Sequence, residues 1–308
     1  MIKPRVLKLG DTLGVIGPAS PTTDKNIKKV EEVLKEMGFK VKMGKSVYER
    51  HGYLSGTDDI RAEDINSMFG DKEVDGILCI RGGYGTGRIL DLINYEIIKE
   101  NPKVFIGYSD ITALHIAFNQ IAGLVTFHGP MACDIIRNFS NFSKELLFKA
   151  IMSSEPVGKI SNPEGEEIIT INGGITEGTI VGGNLSLIAD TIGTPYEIDV
   201  KGKILFIEEV KEEPYRIDRM LNQLRLSGKL NEAAGIVLGD FNNCHAEKPD
   251  ESLSLGQVID DYFKPLNKPT IYNLQAGHCK PMVTIPFGVK ARLDADKKEL
   301  TILENAVE

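Results

Sequence analysis

The sequence has little of what characterises nucleic-acid-binding or membrane proteins. Its 308 residues include 36 Lys and Arg against 44 Asp and Glu, a net charge of −8, and this acidic balance disfavours binding to phosphate backbones or anionic lipid surfaces. No apolar run approaches the roughly 18 residues that a membrane-spanning helix needs. Residues 1–20 contain Gly and Asp where a signal peptide needs an unbroken apolar stretch. We therefore expect a cytoplasmic protein with neither nucleic acid nor membrane as partner.

Cysteine motifs are also absent. The four cysteines are scattered, without a C-x-x-C pair or the ligand spacing of a zinc site. Cys79 lies in an apolar, strand-like run and is expected to be a small core residue. These absences predict reduced thiols, no metal and no cofactor.

Strand-like and helix-like patterns alternate through the first half of the chain. Residues 11–20, 74–83 and 103–108 are apolar runs that end in Gly- or Ser-containing turns, and amphipathic helical patterns such as 24–38 separate them. This order predicts an α/β domain with a parallel sheet and helices on both faces. In such sheets, ligand sites form in the loops beyond the carboxyl ends of the strands.

The pattern changes after about residue 135, where strand-like segments become more frequent. We predict an N-terminal α/β domain over residues 1–138, a linker over 139–165, and a smaller mixed, β-rich domain over 166–308.

The densest glycine loop is RGGYGTGR, residues 81–88. Arg88 and Ile89 stand where a phosphate-binding P-loop needs Lys and Ser or Thr, so the phosphate interpretation is weak. Glycines still allow backbone N–H groups to approach a ligand oxygen closely. A tight turn without any ligand is the alternative.

The stretch IGYSDIT has the strand–Gly-x-Ser–helix form of a nucleophile elbow. The N–H of Asp110 would then lie at a helix start, where it can stabilise an oxyanion. However, Ile111 occupies the position of the second glycine of the elbow. A helix N-cap is an equally good explanation of Ser109 from local sequence alone.

A serine nucleophile needs a base and an orienting acid. Of the five histidines, His278 is preferred because it lies in a Gly- and Pro-containing loop after a strand-like run. Glu208 and Glu209 follow another apolar run, and a carboxylate there is costly unless it is paired. Because side chains alternate along a strand, only one of the two can face the site.

Several stretches together resemble one family, the LD-carboxypeptidases, which are serine peptidases that include muramoyl-tetrapeptide carboxypeptidase. The resemblance spans nearly the whole chain, and its motifs occur in family order: GDTLGVIGPAS, HGYLSGTDDIRAEDIN, RGGYGTGRIL, IGYSDIT, TFHGPM, VGGNLSLIADTIGTPY, LFIEEVKEEPYRIDRML and AGHCKP. It implies a flavodoxin-like or amidotransferase-like N-terminal domain, a β-rich C-terminal domain and an active site at their junction.

The resemblance also implies roles for individual residues. The nucleophile, acid and base fall on Ser109, Glu208 and His278, and the oxyanion donors on the backbone N–H groups of Asp110 and the Gly82-Gly83 pair. A carboxypeptidase must also bind the terminal carboxylate of its substrate, and Arg81, Arg216 and Arg219 are candidates because a guanidinium matches that geometry. An ordinary surface ion pair is the alternative for each of them. Tyr84 is a further candidate for binding the substrate.

The implied function is release of D-alanine from murein tetrapeptide during cell-wall recycling, by a protein that can pair as a homodimer. Two alternatives stay open: a peptidase or amidase of the microcin C type with the same triad, and a protein that binds wall peptides without hydrolysing them. An α/β-hydrolase has the same order of triad residues, but would need the second glycine of the elbow.

Overall fold

The computed structural model describes residues 1–308, apart from the side chain of Asn138. The strands are β1 (Thr12–Ile16), β2 (Lys40–Met43), β3 (Gly76–Cys79), β4 (Val104–Gly107), β5 (Thr126–His128), β6 (Gly158–Ile160), β7 (Ile169–Asn172), β8 (Ile175–Asn184), β9 (Ile204–Val210), β10 (Gly235–Asn242), β11 (Thr270–Tyr272), β12 (Ile285–Phe287), β13 (Lys290–Asp294) and β14 (Glu299–Ile302). The α-helices are α1 (Asp24–Glu36), α2 (Asp58–Gly70), α3 (Tyr95–Glu100), α4 (Thr112–Ala117), α5 (Ala132–Asn138), α6 (Asn141–Met152), α7 (Leu185–Asp190), α8 (Pro214–Leu226), α9 (Lys229–Glu232) and α10 (Leu255–Phe263).

The first sheet is six-stranded, in the order β12-β5-β4-β3-β1-β2. Strands β1 to β5 are parallel, and β3 and β4 are fully buried, as expected of central strands covered on both faces. The parallel sheet predicted from the alternating patterns is therefore confirmed.

The second sheet is eight-stranded and mixed, in the order β6-β14-β13-β8-β9-β10-β11-β7. Its centre, β8 to β11, is parallel, and antiparallel strands lie on both sides. The predicted mixed second domain is confirmed as a fold class. The segment 139–165 contains α6 and β6, so it contributes a helix and the edge strand of the second sheet.

The two sheets are connected by a strand from the C-terminal part of the chain that joins the first sheet, and by a hydrophobic core that both sheets share. Strand β12, from the C-terminal part of the chain, pairs antiparallel with β5 of the first sheet. One continuous buried apolar cluster contains Phe127 of β5 together with Phe206 of β9. The backbone N–H of Asn184, at the end of β8, donates a hydrogen bond of 2.9 Å to Thr112 Oγ1 at the start of α4. These contacts bring the carboxyl ends of β4 and β9 to the same junction.

Among the described helices, none combines the length and the apolar character that crossing a membrane requires.

Candidate active site

Ser109 lies on a strained turn directly after β4. Its φ of 64° is in the left-handed region, which costs a residue with a side chain about 1–2 kcal/mol. Residues 109–111 form a short 3₁₀ turn that continues into α4. A Cβ placed on Gly107 would lie 2.8 Å from Cγ2 of Ile111. The glycine two residues before the serine therefore makes room for the isoleucine two residues after it. Ile111, which occupies the position of the second elbow glycine, is therefore packed tightly against Gly107 in this turn.

Ser109 is hydrogen-bonded to His278, and His278 to Glu208. The Ser109 Oγ lies 3.1 Å from Nε2 of the imidazole, and Nδ1 on its other side lies 2.7 Å from Glu208 Oε2. With the carboxylate as acceptor, Nδ1 carries the proton and Nε2 is left to accept from the serine hydroxyl. Three residues from three separate parts of the chain thus form one linear hydrogen-bonded chain.

The electrostatic environment of His278 favours its protonated form. Burial lowers the pKa of His278, but the charge of Glu208 and its hydrogen bond raise it, and the more distant Glu209 and Asp134 add to the rise. The net result is a pKa above the ordinary value of 6.5. Glu208 itself has no exposed surface, so the imidazole is the partner that a carboxylate at this position requires.

Tyr108 supports the imidazole from the side. Its ring centroid lies 5.0 Å from that of His278, in an edge-to-face arrangement of 63° that aromatic pairs favour. Sequence reasoning missed this residue, and its only signal was its position next to the candidate nucleophile.

The glycine loop lies against the serine. A Cβ on Gly82 would be 3.0 Å from Cβ of Ser109, and Gly83, Tyr84, Ser109 and Asp110 all line one cavity of about 550 Å³. The residue after the serine is fixed to this loop, because the N–H of Thr86 donates to Asp110 Oδ2 at 2.9 Å. The residues whose N–H groups are the predicted oxyanion donors therefore lie next to the serine: Gly82 against its side chain, and Gly83 and Asp110 in the wall of the same cavity.

Glu209 is also buried, although the sequence favoured Glu208 alone for the site. Its Oε1 accepts from Asn184 Nδ2, and its Oε2 accepts from the N–H and the hydroxyl of Ser186. Burial raises the pKa of Glu209 despite these hydrogen bonds. The second glutamate therefore fixes the start of α7, which forms part of the cavity wall.

Of the candidate substrate-binding residues, the described cavity wall includes Tyr84 but none of the three arginines. An Nη1 of Arg81 lies 3.4 Å from the carbonyl oxygen of Pro21. Arg216 and Arg219 lie over the exposed ring of Tyr215. The three arginines are therefore not part of the cavity wall, although Arg216 Nε lies 3.6 Å from Oε2 of the wall residue Glu212.

The remaining histidines lie away from the serine–imidazole–carboxylate chain. His115 is buried, with Nε2 2.9 Å from the carbonyl oxygen of Gly107, and burial lowers its pKa to about 4. His128 is buried in aromatic surroundings, and burial likewise lowers its pKa. His51 and His245 are exposed in loops. Among the described residues, no group of three or more His, Cys, Asp or Glu is arranged to hold a metal ion.

Two family models match the chain, one in each half. The LD-carboxypeptidase N-terminal domain matches residues 13–129, and the LD-carboxypeptidase C-terminal domain matches residues 177–293.

Individual proteins are similar over nearly the full length. The probable murein peptide carboxypeptidase of Bacillus subtilis is 46% identical over 305 residues, which is 97% of this chain and 94% of the relative. The solved structure of muramoyltetrapeptide carboxypeptidase from Oxalobacter formigenes is 29% identical with a TM-score of 0.83, covering 94% of this chain and 97% of the other. The microcin C7 self-immunity protein MccF in complex with aspartyl sulfamoyl adenosine is 25% identical with a TM-score of 0.89, and both chains are fully covered.

Proposed function

Because the chain belongs to the LD-carboxypeptidase family, we propose that it is a serine carboxypeptidase that releases D-alanine from murein tetrapeptide. The bond to be hydrolysed is the amide between an L-centre and the terminal D-amino acid. The observation that carries the proposal is the hydrogen-bonded chain from Glu208 through His278 to Ser109, and Ser109 lines a cavity. The similarity to proteins named murein peptide carboxypeptidase and muramoyltetrapeptide carboxypeptidase supports the choice of substrate.

In the first half of the reaction, His278 accepts the hydroxyl proton of Ser109 at Nε2 while the oxygen attacks the amide carbonyl. Glu208 holds the imidazole in the tautomer that has Nε2 free and stabilises the imidazolium that forms. The backbone N–H groups of Asp110 and of the Gly82-Gly83 pair donate to the negative oxygen of the tetrahedral intermediate.

Collapse of that intermediate breaks the C–N bond, and the imidazolium returns the proton to the leaving amine of the D-amino acid. The peptide is then held as an ester on Ser109. A water molecule, deprotonated in its turn by His278, hydrolyses the ester and restores the serine hydroxyl. No metal is needed for any of these steps.

The proposal is tested by mass spectrometry of a murein tetrapeptide incubated with the wild type and with Ser109→Ala. We expect the tripeptide and D-alanine from the wild type, no product from the variant, and unchanged activity in EDTA. Intact tetrapeptide after long incubation with wild type, together with measurable affinity, would instead favour a protein that binds wall peptides without hydrolysing them.

A second candidate is a peptidase or amidase that acts on peptidyl-nucleotide compounds of the microcin C type. The TM-score of 0.89 against MccF with a bound aspartyl sulfamoyl adenosine favours it. The two candidates share the triad, so only the ligand distinguishes them. Offering tetrapeptide and aspartyl sulfamoyl adenosine in parallel separates them by the ratio of the two kcat/KM values.

Cytoplasmic cell-wall recycling, a homodimeric state and the domain limits 1–138, 139–165 and 166–308 are further parts of the proposal. They rest on the sequence and on the resemblance.

A further inference from the structure

The charge of the catalytic cavity has one sign. Among the described residues that line it, the charged ones are all carboxylates: Asp110, Asp190, Glu209 and Glu212. No Lys, Arg or His is among the described residues of this wall. A peptide that fills the cavity therefore places its own groups in a negative potential.

Two of the four carboxylates are already engaged within the protein. Asp110 accepts from the N–H of Thr86, and Glu209 accepts from Asn184, Ser186 and Val210. Their oxygens already accept hydrogen bonds from backbone and side-chain donors of the protein, so these two carboxylates have a structural role.

The other two carboxylates are available to a ligand. Asp190, at the end of α7, is exposed and forms no hydrogen bond or ion pair with any described residue. Glu212 forms a single ion pair, at 3.6 Å, with the half-exposed Arg216, and pairs of this kind contribute little. A cationic group entering the cavity therefore meets Asp190, which has no partner among the described residues, and Glu212, which is held only by the long, half-exposed ion pair with Arg216.

The position of His278 indicates which part of the substrate enters. The leaving amine must lie next to His278 Nε2, because the imidazolium protonates it. Ser109 and Asp110 line the cavity whereas His278 does not. The attacked carbonyl must lie against Ser109 Oγ and the N–H of Asp110, and both residues line the cavity. The acyl residue that carries this carbonyl therefore borders the cavity.

We propose that Asp190 and Glu212 select an acyl residue whose side chain bears a net positive charge. This inference rests on the proposed function and specifies its substrate. The matching chemistry is a side chain that ends in an ammonium group without an adjacent carboxylate, as in lysine or in diaminopimelate with its distal carboxylate amidated. Unmodified diaminopimelate brings a carboxylate next to its ammonium group, and this carboxylate would face the same acidic wall.

The first experiment measures kcat/KM of the wild-type protein for tetrapeptides that differ only in the third residue. The series contains L-lysine, Nε-acetyl-lysine, diaminopimelate and distally amidated diaminopimelate. We expect the lysine and amidated peptides to be preferred over the acetylated and unmodified ones by about tenfold, which is the effect of about one well-placed charge interaction. Added salt should reduce this preference because it screens the partly exposed carboxylates.

The second experiment repeats the series with the double variant Asp190→Asn/Glu212→Gln. Its preference for lysine over Nε-acetyl-lysine should fall towards one, mainly through loss of activity on the lysine peptide. Glu36→Gln, on the exposed end of α1 and outside the cavity, removes the same kind of charge and should leave the preference unchanged.

The outcomes separate the two levels of the argument. Equal kcat/KM for lysine and Nε-acetyl-lysine, or a preference that the double variant retains, would overturn this inference and leave the proposed function intact. Release of D-alanine from none of the four peptides would overturn the proposed function and the inference with it.

Discussion

Glu208 and Glu209 are adjacent in β9, yet their carboxylates stabilise different parts of the molecule. Glu208 Oε2 lies 2.7 Å from His278 Nδ1, whereas Glu209 accepts four hydrogen bonds, from Asn184 Nδ2, the N–H and hydroxyl of Ser186, and the N–H of Val210. Alternation along the strand sends the first side chain to the imidazole and the second to the start of α7. The two glutamates are therefore expected to separate catalysis from stability.

Glu208→Gln should reduce kcat by about 10³-fold or more, because a carboxamide neither fixes the required tautomer nor stabilises the imidazolium. The free energy of unfolding should change far less than the activity. Steady-state kinetics on the tetrapeptide and chemical denaturation measure the two effects separately.

Glu209→Gln should reduce the stability of the protein more than its activity. The substitution replaces one carboxylate oxygen, which accepts hydrogen bonds, by an NH₂ group, which donates them. Because the neighbouring groups also donate, a buried donor is left unpaired, and the free energy of unfolding should fall by about 1–3 kcal/mol. Activity of the folded fraction should fall much less than in Glu208→Gln. Equal kinetic losses in the two variants would contradict this division of roles.

Because the pKa of His278 is raised, we expect the acid limb of the pH–rate profile to have its midpoint at a higher pH than for an ordinary histidine. The reaction needs the neutral imidazole, so kcat/KM falls as the pH falls through the pKa of His278, at a midpoint above the ordinary 6.5. Glu208→Gln removes the charge that contributes most to raising this pKa, and its residual activity should show a lower midpoint. An acid limb below 6.5 in the wild type would contradict the prediction.

The same pKa shift predicts a dependence of stability on pH. A histidine whose pKa is higher in the folded than in the unfolded protein contributes stability that is fully present below the unfolded pKa. That contribution is lost as the pH rises through the folded pKa. Denaturation of the inactive Ser109→Ala variant across this window, with and without Glu208→Gln, isolates the contribution of the ion pair.

The sequence was sufficient for the parallel sheet and the mixed second domain because apolar periodicity and turn residues are local signals. It was not sufficient for the pairing of β12 with β5, because nothing within a three-residue strand specifies a partner more than 150 positions away. For the candidate site, Ser109, Glu208 and His278 follow recognisable strand ends and motifs, and the family resemblance added their order.

The positions of surface arginines relative to the cavity were harder to predict from the sequence. Arg216 and Arg219 lie on the amphipathic helix α8, and the sequence alone does not tell which charged positions of its polar face point to a neighbouring cavity. The structure directs both to the exposed ring of Tyr215. Tyr108 was missed for the converse reason, since its contact with His278 depends on a loop about 170 residues later in the chain.

Backbone strain at Ser109 predicts a stability difference between two inactive variants. Ser109→Ala and Ser109→Gly both remove the nucleophile, but only glycine tolerates the φ of 64° without a steric cost. Because relief of this strain is worth about 1–2 kcal/mol, and the greater flexibility of glycine in the unfolded chain offsets part of it, we expect Ser109→Gly to be the more stable of the two in thermal denaturation. A less stable glycine variant would show that the turn is not strained.

Gly277, the residue before His278, is predicted to be essential for the approach of the acid to the base. A Cβ at this position would lie 2.6 Å from Glu208 Oε2, closer than any side chain tolerates, and its φ of 115° adds strain. Gly277→Ala should therefore displace Glu208 or the His278 loop and lower kcat by about 10²-fold, as misplacement by about 1 Å does. The matched control is Gly10→Ala, which has a φ of 92° and no atom within 4 Å of the added Cβ. It imposes similar backbone strain without the clash, so it should lose stability but keep its activity. If both variants retained full kcat, the contact between Gly277 and Glu208 would have no part in aligning the triad.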